Sequence, residues 1–161
     1  MENREGSYLN ILEQSLDKKI KILDQIIEQD QLQEQQLQNP SLEPEEFDQT
    51  VEEKSRLIDE LELLDDGFEQ VYDRVKDELK GHKELYKEEI RRMQQKIRQI
   101  TDKSMQIQTQ EARNKMLMEA KFASIHKQVK EIRQSQKMVN QYYRNMMKTN
   151  YIDPQFVDNK K

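Results

Sequence analysis

Few residue types able to carry out chemistry are spaced for it in this chain. The two histidines, His82 and His126, lie far apart and lack a Cys or His partner at the spacing a metal site needs. There is no cysteine, hence no thiolate nucleophile, no metal–thiolate site and no disulfide. Carboxylates abound, with 32 Asp and Glu in 161 residues. Adjacent pairs such as Asp65-Asp66 and Glu88-Glu89 point in different directions from a helix, so they are poor candidates for a shared site. A di-metal site in a helical bundle needs Glu-x-x-His pairs, and none exists here. Nor is there a phosphate-cradling glycine loop or a nucleophile elbow. These residues predict a protein that is not an enzyme, with no cofactor and no metal.

The methionines point elsewhere. Met116, Met118, Met138, Met146 and Met147 gather in the last third of the chain, joined by Phe122, Tyr142 and Tyr143. Methionine adapts its shape and is over-used on surfaces that accept another helix, but it also fills ordinary cores. The same segment carries a stripe of Ile107, Met118, Phe122, Ile125, Val129, Ile132, Val139, Tyr143 and Met146. From Ile125 onward its spacing follows a heptad rhythm, which sets one seam against a partner. A helix cannot bury such a stripe alone. Whether the rest of the chain or another protein covers it is the functional question.

Composition names the elements that must do the covering. Hydrophobic residues make up 34% and charged residues 37%, with three glycines, three prolines and no tryptophan. Little material remains for tight turns, while Glu, Gln, Lys, Leu, Ile and Met favour helix. Net charge runs −4 over residues 1–40, −10 over 41–80 and +9 over 81–161. Acidic then basic segments predict a hairpin that pairs with itself. The basic half mixes both signs at helical spacing and has no finger or RNP signature, so no nucleic-acid partner is expected. No apolar run approaches the roughly 20 residues of a membrane span, and Met1–Glu5 is polar rather than a signal peptide. A cytoplasmic protein without membrane insertion is expected.

The spacing predicts helices over about 7–38, 45–80 and 83–150, with a short disordered tail at 151–161. The first carries Leu9, Leu12, Leu16, Ile20, Leu23 and Ile27. It ends at Asn39-Pro40-Ser41-Leu42-Glu43-Pro44, a breaker short enough to make the next helix antiparallel. Acids Glu45, Glu46 and Asp48 suit the start of the second, whose stripe runs from Phe47 to Leu79. Gly67 inside it suggests a bend or close packing. The third helix would be about 100 Å long, twice the others. It either overhangs as a rod or folds back, with Thr101-Asp102-Lys103-Ser104 offering a break. Pro154 stops it. The fold expected is all-α, an elongated antiparallel three-helix bundle or coiled coil with a long C-terminal helix, forming one domain over 1–161.

Three segments resemble the small helical flagellar export chaperones of the FlgN/FliT type. They are the amphipathic first helix from Tyr8 to Ile27, the block from Val51 to Leu64 (VEEKSRLIDELELL), and the block from Gln110 to Met118 (QEARNKMLM). The second block is similar to the family's Glu-Lys-x-x-Leu-Ile-x-x-Leu stretch; the third, with Asn114 and Leu117, is similar to the start of its last helix. The segment at 81–106 is longer than the family pattern. The resemblance implies a cytoplasmic, non-enzymatic chaperone that holds a hook–filament junction or filament cap subunit before secretion, with the export apparatus as a further partner. It assigns client binding to Asn114, Leu117, Met118, Phe122, Ile125, Val129 and Ile132. The competing expectation is a self-associating coiled-coil scaffold or adaptor; weak homo-oligomers fit either.

Overall fold

The computed structural model describes residues 4–121, 123 and 126–148, with side chains over 6–121 and at 123, 133, 134 and 136–146. It is an all-α bundle of α1 (Arg4–Leu37), α2 (Pro44–Gly81), α3 (Lys87–Lys121) and α4 (His126–Lys148). The first two helices begin and end within a few residues of their expected bounds. At the junction between them, the Ser41 amide donates to Asn39 Oδ1 (2.9 Å) and the Glu43 amide to Glu46 Oε1 (3.2 Å). Pro44 opens α2 where its missing N–H costs nothing.

The expected third helix differs in three ways. It starts at Lys87 rather than near 83, because His82 closes α2 by donating its amide to Leu79 O and then accepts from Leu85 and Tyr86. It runs unbroken through Thr101–Ser104: both hydroxyls bond back to the carbonyls of Ile97 and Ile100 (3.0 and 2.7 Å) instead of capping a new start. It ends at Lys121, and α4 returns along it. Of the two open expectations, the folded-back segment is the one found. An unbroken rod of 62 residues (87–148) would extend about 93 Å, against about 51 and 57 Å for the 34 and 38 residues of α1 and α2. Folding back buries Val139 and Tyr143 in the main core instead of leaving that seam to overhang.

Cross-bundle bonds give the directions. Lys19–Asp65 and Lys54–Asp30 make α1 and α2 antiparallel. Arg92–Glu13, Lys103–Asp24 and Arg113–Glu34 make α1 and α3 parallel. Arg133–Glu119 and Ser104–Met146 make α3 and α4 antiparallel. Two antiparallel hairpins therefore lie side by side: α1 packs on α2 and α3, and α4 packs on α2 and α3. The core is continuous through Leu12, Leu16, Leu23, Ile26, Leu57, Leu61, Val75, Met93 and Ile107. A smaller cluster of Leu37, Phe47 and Met118 closes one end.

The expected pairing of the acidic second segment with the basic last segment is not made by α3. The cations of α3 pair with α1, through Glu13, Asp17, Asp24 and Glu34, because α2 and α3 sit diagonally. Of the two readings of Gly67, close packing is not found: α2 passes through it, and a Cβ there would meet nothing within 4 Å. No described helix is long and apolar enough to cross a membrane.

Candidate functional site: a polar layer under the last helix

Each helix contributes polar side chains to one interior layer. Asp30 and Gln33 come from α1, Thr50 and Lys54 from α2, Glu111 and Asn114 from α3, and Gln136 from α4; all are buried. They stand at core positions of their heptads. Lys54 follows Phe47 by seven, Asp30 follows Leu23 by seven, and Glu111 follows Ser104 by seven and Ile107 by four. Helical periodicity therefore carries these charges inward, and their opposite signs let them stay there.

Lys54 Nζ is the hub. It donates to Asp30 Oδ1 (2.8 Å), Gln33 Oε1 (2.8 Å), and Glu111 Oε1 and Oε2 (2.8 and 2.6 Å). Gln33 donates to Thr50 Oγ1 (2.9 Å), Asn114 Nδ2 to the Asp30 carbonyl (2.9 Å), and Gln136 Nε2 to Glu111 Oε1 (3.4 Å). Burial pushes the Asp30 carboxyl up to about 8; Lys54 pulls against this and the Glu111 charge adds to it. Burial opposes the Lys54 ammonium, but Glu111 and Asp30 together hold its pKa above the usual value. Burial and the neighbouring Glu111 thus favour the protonated form of Asp30, while Lys54 keeps its charge. That proton gives Asp30 Oδ2, which has no other partner, a donor to offer Glu111. Tyr143 is also buried, and burial reinforced by Glu111 and Asp30 raises its phenol well above the usual value.

The cavity beside Asp30, also lined by Gln106 and Gln110, measures about 10 Å³, about the room one water needs. Among the described residues, no group of three or more His, Cys, Asp or Glu is arranged to hold a metal ion. What the layer does is fix register: it joins all four helices at one height, and a one-position slip would strand buried charge. It leaves the α4 side incomplete, since Gln136 Oε1 and Tyr143 OH find no partner.

A groove of about 450 Å³ opens lower down between α2 and α4, lined by Glu62, Asp65, Asp66, Glu69, Tyr142, Asn145 and Met146. Asp65 is held by Lys19 Nζ and the Tyr142 hydroxyl, each at 2.6 Å.

Of the client-binding residues expected from sequence, Asn114 and Met118 are interior and Leu117 is half-buried against the end cluster. Phe122 and Ile125 lie outside the described residues, as do the side chains of Val129 and Ile132. The polar layer itself was missed. Its signal was present as charged residues at core register in three successive stripes. Comparison with protein-family models, with curated proteins and with solved structures finds no match to this chain.

Proposed function

We propose that the protein is a non-enzymatic, cytoplasmic chaperone that holds a helical segment of an exported flagellar subunit, a hook–filament junction or filament cap protein, in the manner the FlgN/FliT resemblance implies. The observation that carries the reading is the α4 seat. This helix has 23 residues against 34–38 for the others, and two buried polar atoms on its side, Gln136 Oε1 and Tyr143 OH, have no partner among the described residues. Each such atom costs about 1–3 kcal/mol, which offsets much of what burying Val139 and Tyr143 contributes. It is the helix most readily exchanged for another of like pattern. A client helix with apolar residues at the spacing of Val139, Tyr143 and Met146 fits the same seat. The client surface is then the groove beneath α4, walled by α2 and α3, rather than the outer face of α3.

The test is light scattering of the chain with junction and cap proteins from the same cell, with hydrogen exchange read along α4. The expected result is a one-to-one complex in which α4 amides lose protection. A chain that binds neither protein overturns the chaperone reading. A complex that forms while α4 keeps its protection overturns the exchange of helices.

A further inference from the structure

The outer surface carries a pattern that client capture does not use. Glu45, Glu52, Asp59, Asp66 and Asp73 recur every seven residues along α2 and all are exposed. They form one acidic ridge about 42 Å long. Asp73 pairs with Lys76; Glu52, Asp59 and Asp66 make no ion pair among the described residues. On α4, Lys130, Lys137 and Arg144 also recur every seven, and Lys137 and Arg144 are exposed.

The two ridges do not meet within one molecule. Asp66 lines the groove with Asn145, so the acidic ridge borders the α2 side of α4. Arg133 bonds Glu119, which places the basic edge on the α3 side. Between them run the exposed, uncharged Gln134, Met138, Gln141 and Asn145, with Met138 at 69% exposure.

We infer that this face binds a second copy of the chain across a two-fold axis parallel to the helices and passing over Met138. Such an axis exchanges left and right, setting the acidic ridge of each copy against the basic edge of the other. It also preserves height. Tyr142 bonds Asp65 across a sequence separation of 77, which fixes the level of α4 beside α2, and the two helices run the same way. Lys137 and Asp59, and Arg144 and Asp66, are each separated by 78, so each pair stands at one level across the axis. An axis perpendicular to the helices would set acid against acid. The face is about 35 Å long, the length of α4, and roughly 20–25 Å wide across two helices, or about 800 Å² per partner, the size of a standard interface. The dimer is independent of the client reading, because α4 stays docked and its assay contains no client.

Charge reversal tests it. Asp59→Lys/Asp66→Lys and Lys137→Glu/Arg144→Glu change exposed residues only, and circular dichroism verifies that each variant folds. Sedimentation at about 20 µM in low salt is expected to give a dimer for the native chain, weakened as salt rises. Each variant alone should dissociate, with affinity down roughly a hundredfold or more from like-charge contact. Mixed one to one, they should recover a dimer, since both contacts again join opposite charges. Asn145→Cys, placed in a chain free of cysteine, should oxidise to a disulfide-linked dimer only in the parallel arrangement. A native monomer, a dimer indifferent to both reversals, or a mixture that stays monomeric overturns the inference; failure of Asn145→Cys to link overturns the orientation.

Discussion

Lys54→Met tests the polar layer most directly. The substitution keeps the length of the side chain and removes the ammonium that four acceptor atoms share at 2.6–2.8 Å. Asp30 tolerates the loss, because burial and Glu111 already favour its protonated form and removing Lys54 favours it further. Glu111 does not: it is 0% exposed and keeps only the 3.4 Å bond from Gln136 and the proton Asp30 offers, with no cation beside it. Breaking a buried pair from one side costs about 3–5 kcal/mol. Against the roughly 5–15 kcal/mol that holds a domain folded, the expected loss is about a third or more of the stability. Urea unfolding followed by circular dichroism at the helix band reads it as a fall in the midpoint with an unchanged slope. Adding Glu111→Leu removes the stranded charge and should return at least half of the loss, since an apolar replacement of a buried pair is often neutral or better. A cost below about 1 kcal/mol for Lys54→Met would mean that Glu111 reaches water and that the layer is not sealed. A double variant as unstable as the single one would mean that packing, not charge, was lost.

Four further outcomes follow from the same geometry. Asp30 is raised to about 8 from an ordinary 3.8, so its stabilising contribution is whole below pH 3.8 and is lost as pH rises to about 8. Urea midpoints between pH 5 and 8 should fall in the native chain and stay flatter in Asp30→Asn. Glu13 runs the other way: Arg92, with help from Lys96, lowers it to about 2 against the burial that raises it. Its contribution is present above pH 4.5 and is lost as pH falls to 2, so the gap between the native chain and Glu13→Gln should close over that window. Gly67→Ala should stabilise by about 1 kcal/mol in thermal unfolding, because an added Cβ meets nothing within 4 Å and α2 is helical there. Tyr143→Phe removes an unpartnered buried hydroxyl and should seat α4 more firmly by about 1 kcal/mol. Client affinity should then drop roughly fivefold in a titration if α4 is the helix exchanged.

The class of the fold and the first two helices were legible from local rules. Asn39 through Pro44 break the chain whatever surrounds them, and Leu9, Leu12, Leu16 and Leu23 lie on one face by helical period alone. The polar layer was half legible. Lys54, Asp30 and Glu111 each interrupt an apolar stripe at a core position, but their sequence separations of 24 and 57 leave the pairing open until the helices are placed. The ion pairs were not legible at all. Charge blocks predict attraction between the second and last segments, and only packing shows that α3 lies beside α1 and diagonal to α2.

By itself, then, the sequence determined two things here. They are the helical periodicity and the position of the first break. Those properties depend on residue type and the 3.6-residue turn, which hold in any context. Tertiary structure decided where the last segment turns back, which cations meet which anions, and which polar residues lie inside. The segment around Ala123 carries no proline or glycine, so no local residue forces a turn there. The long helix folds back because returning buries Val139 and Tyr143 beside the other helices, and that gain exists only once those helices stand next to one another.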